Sequence, residues 1–331
     1  MSEAPRVSVI VPTCNRAEAL FRALARIKAQ SFADFECLVV DDGSEAAVQA
    51  QYAAGWGALD ERFVLCLRDK TERRGGNPAR TRNRGIRRAR GTYLAFCDDD
   101  DLWVRDDHLE VAVAAMTRCD ADLFFADLQF SDEGQVVRAS WYEAVQPVLR
   151  RHPLEPGGDL FTLPKPELCK MLSQRHLHVD VTVVSRALML EVGMFWEHAQ
   201  FNEDLEVSLR LAARARRVVH RATPTAALDV SFHPSAIRRF TDQERALDDV
   251  MACLRAETEI DDPALRRVAR SLRAWRLLDL ADFARAAGAR RQMRELGLQA
   301  LLLFPTLRAV KTLAGAGLAR RPAAGESPAP G

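Results

Sequence analysis

The stretch "YLAFCDDDDLW" at residues 93–103 places four consecutive carboxylates, Asp98 to Asp101, directly after an apolar run rich in strand formers. Adjacent carboxylates raise the cost of ionising one another, so such a run needs something that offsets the repulsion. Either the run is a solvated turn, or its oxygens bind a divalent cation. A calcium loop is a poor match, because no Gly or Glu follows at the spacing of such loops.

The composition narrows the class of protein. The chain has 331 residues, of which 48% are hydrophobic, and its formal charge is +1. This allows one or two domains with a sizeable core and does not favour nucleic acid as a partner. The seven cysteines form no CxxC pair, which indicates reduced thiols in a cytosolic protein. We find no signal peptide and no window of about 18 apolar residues, so we expect a soluble or peripheral protein.

Strand and helix patterns alternate along the first hundred residues. Apolar, β-branched runs predict strands at 6–11, 35–40, 63–67 and 92–97. Helical spacing predicts one helix between the first two strands and a short helix before the fourth. This alternation is typical of a parallel sheet, whose ligands lie at the carboxyl ends of the strands. The polar clusters "PTCNR", "DDGS" and "CDDDD" each follow a predicted strand.

The second half of the chain is less regular. Residues 121–130 and 178–185 are predicted to be strands, and Asn202 begins a predicted helix with an acidic first turn. Beyond about residue 240 the pattern is wholly helical, and the end of the chain has the composition of a disordered tail. The predicted units are an α/β domain over 1–240, a helical region over 241–318 and a tail over 319–331.

Six segments occur in the order found in glycosyltransferase family 2, which the chain resembles over roughly residues 6–240. They are "VSVIVPTCNRAEAL", "FECLVVDDGS", "ARTRNRGI", "GTYLAFCDDDDLW", "VGMFWE" with "NEDLEVSLRL", and "SFHPSAIRR". The resemblance implies a GT-A-type α/β fold with a mostly parallel central sheet flanked by helices, followed here by a helical C-terminal appendage. It also implies a hexosyltransferase-type enzyme that moves a sugar, with inversion, from a UDP-linked donor to an acceptor hydroxyl.

The resemblance assigns the donor nucleotide to the loops that follow the strands. Asp42 is predicted to accept from the imide N–H of uracil, and a capping aspartate before the next helix is the alternative. In the basic segment 68–90, either Arg80 or Arg82 is expected near the diphosphate, with Asn83 supporting the loop. The predicted nucleotide-binding residues are Pro12, Thr13, Asn15, Asp42, Arg80, Asn83, Asp98 and Asp99.

A Mn²⁺ or Mg²⁺ ion is the cofactor that the resemblance implies. Asp98 and Asp100 match the family's Asp-x-Asp pattern, and Asp101 and Trp103 match its continuation. His233 in "SFHPS" is predicted to complete the metal shell or to contact the diphosphate. A cation there stabilises the negative charge that grows on the leaving diphosphate.

Asp204 is the residue that the resemblance selects as general base, with Glu203 as its less favoured neighbour. Inverting transfer needs a carboxylate to take the proton of the acceptor hydroxyl, and a helix N-terminus favours the ionised form. The alternative is a pair of first-turn acids that only stabilises the helix. His176 and His178 have no motif and are assigned no role.

The C-terminal region carries seven basic residues between Ala289 and Arg321 against one acid, Glu295. Three alternatives stay open: its helices lie on an anionic membrane, pack on the catalytic domain, or pair subunits in a homo-oligomer. Packing is slightly favoured, because Pro305 interrupts the amphipathic pattern. The expected location is the cytoplasm, with peripheral contact to the inner membrane face under the first alternative. Bacterial surface polysaccharide or glycoconjugate synthesis is the setting that analogy suggests.

Two other functions compete with glycosyl transfer. A nucleotidyltransferase that makes nucleotide sugars would carry a Gly-rich, Lys-bearing loop after the first strand, whereas "PTCNRAEA" contains neither residue. A catalytically silent sugar-nucleotide-binding protein is the second rival, and the intact Asp98, Asp100 and Asp204 argue against it. The sequence identifies neither the sugar nor the acceptor.

Overall fold

The structure, a computed structural model, describes residues 4–68, 77–230 and 240–314. The strands are β1 Val7–Thr13, β2 Phe35–Asp41, β3 Phe63–Cys66, β4 Tyr93–Phe96, β5 Leu102–Trp103, β6 Leu123–Asp132, β7 Gln135–Arg138, β8 Leu160–Thr162, β9 Thr182–Ser185 and β10 Val218–Asp229. The helices are α1 Ala17–Lys28, α2 Ala46–Gly55, α3 Pro78–Arg88, α4 His108–Cys119, α5 Gln146–Leu149, α6 Lys165–Leu172, α7 Arg186–Glu191, α8 Glu203–Arg214, α9 Asp242–Glu259, α10 Pro263–Ala286, α11 Arg290–Leu303 and α12 Leu307–Leu313.

The strands form one sheet in the order β3-β2-β1-β4-β9-β6-β10-β5, with β7 paired to β6 and β8 paired to β10. β1 is parallel to β2 and β4, β2 is parallel to β3, and β6 is parallel to β10. β9 is antiparallel to both β4 and β6, so these two run in the same direction. The predicted α/β fold with a mostly parallel, helix-flanked sheet is therefore confirmed.

Both faces of the sheet are covered, as a parallel sheet requires. Successive residues of a strand point to opposite faces, so Val9 joins the apolar cluster under α1 while Ile10 joins the cluster under α3. α3 lies close to the sheet at Gly85, where an added Cβ would come within 2.7 Å of Ile10 Cγ2. The glycine thus fixes the distance between α3 and the strands that carry the polar loops.

The terminal helices pack on the α/β region. Cys253 of α9 and Leu265 of α10 belong to the same apolar cluster as Ile10 of β1. α11 and α12 pack in turn on α10, where they bury Ala300 and Ala309. No helix in the described ranges has both the length and the apolar content needed to cross a membrane. For residues 289–321, the described helices α11 and α12 pack on α10, so packing on the catalytic domain itself stays a prediction, as does the boundary at 240.

Two elements differ from the sequence prediction. Residues 178–185 are not strand throughout, because Val179–Val181 form a 3₁₀ turn. β10 has no counterpart among the predicted strands, although it pairs along much of β6. Its register with β6 shifts between Arg221 and Pro224 and again before Ala226, which breaks the alternation that would identify a strand. The predicted tail at 319–331 lies outside the described residues.

Candidate active site

The three polar clusters meet at one edge of the sheet, because β1, β2 and β4 are parallel and adjacent. The Asp42 N–H donates to the Thr13 carbonyl oxygen at 2.9 Å, which joins the ends of β1 and β2. Thr13 Oγ1 donates to Asp99 Oδ2 at 2.7 Å, which joins the ends of β1 and β4. Loops that are far apart in sequence therefore line one continuous site.

The four aspartates are not a solvated turn. Asp99 and Asp101 are 5% and 7% exposed, and the side chains of Asp98 and Asp100 are 28% and 22% exposed. Asp98, Asp100 and Asp101 each offer a carboxylate oxygen, and these oxygens lie within 4.8 Å of one another. The predicted pair is thus joined by Asp101 in the candidate metal centre. His233 lies outside the described residues, and its role stays a prediction.

Charge at this loop is incompletely balanced. Burial raises the pKa of Asp98, Asp100 and Asp101, and neighbouring carboxylates add to each rise. Burial and the Asp100 charge raise the pKa of Asp99 to about 6. Arg16 Nη1 lies 2.9 Å from Asp99 Oδ1 and 2.6 Å from Asp100 Oδ2, so one guanidinium serves two carboxylates. A divalent cation would stabilise the ionised cluster.

Arg82 connects the aspartates to α8. Its side chain is 2% exposed, and its Nη2–H donates to Asp98 Oδ1 while its Nη1–H donates to Glu203 Oε1, each at 2.5 Å. Arg80, the predicted diphosphate contact, is 43% exposed and its Nε lies 3.7 Å from Glu197 Oε2 instead. Residues two apart on a helix do not share a face, so only one of the two arginines can reach the aspartates.

Asn83 supports the segment that precedes α8. Its Nδ2–H donates to the Phe195 carbonyl oxygen at 2.9 Å, and its Oδ1 accepts from the Phe195 N–H at 3.0 Å. Nδ2 also lies 3.0 Å from Glu197 Oε1. Asn83 is 1% exposed, and its role toward a nucleotide stays a prediction.

Two neighbouring carboxylates begin α8, and they differ in their contacts. Glu203 is buried against Arg82, and burial raises its pKa although the guanidinium opposes the shift. Asp204 Oδ2 accepts from the Val179 N–H at 3.4 Å. Asp204 Oδ1 is buried and has no hydrogen-bond partner in the part of the chain that the structure describes. Of the two, Asp204 is the less buried residue, and its Oδ1 is left without a partner among the described residues.

Asp180 and His178 also belong to this site, although the sequence assigned no role to His178 and did not single out Asp180. Asp180 Oδ1 accepts from the Asp98 N–H at 2.6 Å, and its backbone oxygen accepts from Trp103 Nε1–H at 2.8 Å. His178 Nδ1 lies 3.3 Å from Asp180 Oδ2. Burial opposes ionisation of Asp180, but the contact with His178 lowers its pKa. Asp180 thus fixes the position of the aspartate loop. No sequence motif predicted this contact.

The two adjacent aspartates at the end of β2 differ in their contacts. Asp41 accepts from the Gly43 and Ser44 N–H groups, each at 3.1 Å, and so fixes the turn after β2, while α2 begins after Glu45 without a side-chain cap. Asp42, the predicted uracil contact, is 9% exposed at the strand end. Gly43 has φ +95°, a conformation in which glycine is favoured.

The remaining predicted nucleotide contacts lie on the β1 loop. Pro12 is part of β1 and pairs with Val40 of β2. Asn15 Oδ1 accepts from the Glu45 N–H at 2.8 Å, and its own N–H donates to Ser44 Oγ at 2.8 Å. The Asn15 side chain thus joins the β1 and β2 loops, while its role toward a nucleotide stays a prediction.

A family model described as glycosyl transferase family 2 matches residues 8–173. The chain belongs to this family. Succinoglycan biosynthesis protein ExoW of Rhizobium meliloti is 33% identical over 130 residues, which are 38% of this chain and 39% of that protein. A Campylobacter jejuni protein named GalNAc(5)-diNAcBac-PP-undecaprenol beta-1,3-glucosyltransferase is 34% identical over 97 residues, 29% of this chain and 30% of that protein. The chain thus matches well under half of the length of these relatives.

Solved structures of other glycosyltransferases share the fold. Staphylococcus aureus TarS 1-349 in complex with UDP-GlcNAc has a TM-score of 0.66 at 17% identity, covering 94% of this chain and 88% of that chain. The mannosyltransferase PcManGT from Pyrobaculum calidifontis, in complex with GDP-Man and Mn²⁺, has a TM-score of 0.56 at 20% identity, covering 95% of this chain and 80% of that chain. At such identities the likeness shows the GT-A-type fold of this family 2 glycosyltransferase and nothing finer.

Proposed function

We propose that this family 2 glycosyltransferase is a metal-dependent, inverting hexosyltransferase that uses a UDP-linked donor and an acceptor hydroxyl. One observation carries the proposal. Three carboxylate oxygens, from Asp98, Asp100 and Asp101, converge within 4.8 Å at the carboxyl edge of the sheet. Arg82 joins this cluster to the first turn of α8, which also carries Asp204.

The donor set fits Mn²⁺ or Mg²⁺, because it consists of hard oxygen ligands and its members retain some access to a ligand. Asp98 and Asp100 are the proposed ligands, with Asp101 as a third and His233 as a predicted fourth. A bound cation would neutralise the negative charge that develops on the leaving diphosphate. The Mn²⁺ named with the mannosyltransferase PcManGT supports this choice.

Asp204 is the proposed general base. Its carboxylate would accept the acceptor hydroxyl proton as the hydroxyl oxygen bonds to the anomeric carbon of the donor. The bond from the anomeric carbon to the diphosphate breaks, and its electron pair leaves with the diphosphate. The N-terminus of α8 favours the ionised carboxylate that this step requires. Glu203 is already engaged by Arg82 and serves to hold that guanidinium.

The nucleotide is proposed to bind across the ends of β1 and β2. Asp42 would accept from the uracil imide N–H, since Asp41 already fixes the turn. Thr13, through Asp99, would connect the base side of the site to the phosphate side. The UDP-GlcNAc in the TarS complex supports a UDP-linked donor.

The names of the two curated relatives support a place in bacterial polysaccharide or glycoconjugate synthesis. The cytoplasmic face of the membrane is the proposed location. Leu302 and Leu307 are 77% and 80% exposed where α11 ends and α12 begins, and Lys311 follows one turn further along α12. Apolar tips beside cations suit an anionic bilayer surface. Replacing both leucines with Glu should abolish flotation with phosphatidylglycerol vesicles. Unaffected flotation would contradict membrane contact. Loss of a dimer in the double variant, with flotation retained, would contradict it as well.

A thermal-shift panel tests the proposed function. UDP with Mn²⁺ should raise the Tm, and a nucleotide at 100 times its Kd stabilises by about 2.7 kcal/mol. UDP in EDTA, and GDP with Mn²⁺, should raise it less. Release of UDP from UDP-glucose or UDP-GlcNAc then separates an enzyme from a silent binder. A nucleotidyltransferase would respond instead to UTP with a sugar 1-phosphate, and a chain that responds to no nucleotide would end the proposal.

A further inference from the structure

Trp141 stands at the centre of an aromatic cluster that the proposed reaction does not use. Its ring is partly buried. Its centroid lies 5.4 Å from the ring of His176, 5.9 Å from that of His178 and 5.9 Å from that of Phe130. The Arg175 guanidinium lies 5.4 Å from the Trp141 ring centroid. Four side chains from two other segments of the chain therefore meet at one indole.

The loop that carries Trp141 is held in a defined position. The Trp141 N–H donates to the buried carboxylate of Asp127 at 3.1 Å, and Ser140 Oγ–H and Gln146 Nε2–H donate to the same carboxylate at 2.5 and 2.7 Å. The indole Nε1–H donates to the His176 carbonyl oxygen at 3.4 Å. Both the backbone and the ring of Trp141 are thus restrained. The protein therefore loses less conformational entropy when a ligand binds there.

This cluster adjoins both halves of the proposed catalytic machinery. His178 contacts Asp180, which in turn accepts from the Asp98 N–H of the aspartate loop. Val179, between the histidine and Asp180, donates to Asp204 Oδ2. Both His176 and His178 lie within electrostatic reach of Asp204. The Trp141 ring therefore lies on the side of Asp204 that is reached through residues 176–179.

Direct displacement needs the acceptor hydroxyl between the base and the anomeric carbon, so the acceptor must be held close to Asp204. A pyranose ring presents C–H bonds with partial positive charge on one face, and these match the negative face of an indole. Its hydroxyls need polar partners, which the two imidazoles can supply. A rigid aromatic with a few polar groups at its rim is the usual composition of a small-molecule subsite.

We propose that Trp141, with His176 and His178, forms the acceptor subsite, and that it takes a saccharide whose pyranose ring lies against the indole. This inference rests on the proposed glycosyl transfer and adds the class of acceptor to it. Because Trp141 contacts neither Asp98 nor Asp100 directly, its contribution is to acceptor binding and not to donor binding.

The test compares Trp141→Ala, Trp141→Leu and Trp141→Phe with the unchanged chain. The rate of UDP release from UDP-glucose or UDP-GlcNAc is measured with Mn²⁺, against increasing p-nitrophenyl β-glucoside, β-galactoside or β-N-acetylglucosaminide as probes. Loss of the aromatic face in the Ala and Leu variants should raise the KM for an accelerating glycoside about tenfold. The Phe variant should retain most of the affinity, and the Kd for UDP with Mn²⁺ should not change in any of the three variants.

Trp275→Ala is the matched control, since Trp275 is 42% exposed and carries the Arg308 guanidinium 5.3 Å from its ring centroid. It should leave the glycoside KM unchanged. The Leu variant retains apolar volume and decides the matter if the Ala variant does not fold. An unchanged KM in the Leu variant, a parallel rise in the Kd for UDP with Mn²⁺, or acceleration of the unchanged chain by none of the probes would overturn the subsite. Absence of both Mn²⁺-dependent UDP binding and UDP release would instead remove the proposed function.

Discussion

Two buried carboxylate regions of this glycosyltransferase are in opposite situations. Asp127 is 1% exposed, and its oxygens accept from groups of the protein on all sides. The donors are the backbone N–H groups of Leu128, Trp141 and Tyr142, Ser140 Oγ and Gln146 Nε2. Burial raises the pKa of Asp127, and these hydrogen bonds oppose that rise, so the result is a fixed loop.

The aspartates at 98–101 lack such a complement of donors. Arg16, Arg82 and Thr13 provide the side-chain hydrogen bonds to Asp98, Asp99 and Asp100 in the described part of the chain, and three of the carboxylate oxygens face one another. Burying charge without full compensation is costly, so it is retained where a ligand completes it. The contrast separates carboxylates that stabilise the structure from carboxylates that are proposed to bind a ligand. Each group can be tested by substitution.

The largest effect is expected for Asp100→Asn. The amide cannot replace a charged ligand, so Mn²⁺-dependent binding of UDP should be abolished in calorimetry. The Tm without ligands should not fall, because one of several repelling charges is removed. Asp99→Asn is the control, with a milder effect, since the oxygens of Asp99 face Thr13 and Arg16. Equal small effects from both variants, or full activity in EDTA, would contradict the metal site and favour a turn that binds no metal.

The next largest effect is expected for Asp204→Asn. Loss of the base should lower kcat by about 10²–10⁴ while leaving UDP–Mn²⁺ affinity nearly unchanged. Glu203→Gln is the neighbouring comparison and should act through Arg82, lowering stability and disturbing Asp98. Full activity in Asp204→Asn together with inactivity in Glu203→Gln would transfer the role of base to Glu203.

Asp127→Asn tests the other member of the comparison. An amide nitrogen placed against N–H donors leaves buried groups unpaired, so the free energy of unfolding should fall by about 1–3 kcal/mol. UDP–Mn²⁺ affinity should not change, because Asp127 is not among the residues proposed to bind the nucleotide or the metal. Urea denaturation measures the first quantity and calorimetry the second. A variant with full stability and lost UDP binding would show that Asp127 belongs with the ligand-binding carboxylates and not with the structural ones.

The smallest effect is expected at the β2 loop, where the same contrast recurs between adjacent residues. Asp42→Ala should weaken UDP binding about tenfold through one lost hydrogen bond to the base, without changing Mn²⁺ affinity. Asp41→Asn should instead lower the Tm, because Asp41 accepts from the Gly43 and Ser44 N–H groups. Unchanged UDP affinity in the Asp42 variant would remove that residue from the site.

Much of the fold could be predicted because its signals are local. The spacing of Leu20, Leu24 and Ile27 identifies a helix, and these residues are buried on one face of α1. Parallel neighbouring strands bring their carboxyl ends together, which is why polar runs after β1, β2 and β4 predicted a common site. β10 was not predictable in the same way, since the register shifts near Pro224 interrupt its alternation.

The sequence by itself determined the family and the α/β architecture, and it predicted the pair Asp98 and Asp100 as metal ligands, because these depend on residue types in a short, ordered pattern. Tertiary structure decided that Arg82 faces the aspartates while Arg80 faces Glu197, since the orientation of α3 on the sheet selects which side chain turns inward. It also decided that Asp180 accepts from the Asp98 N–H across a separation of 82 residues. Contacts between segments so distant depend on how the whole sheet packs, and no local pattern records them.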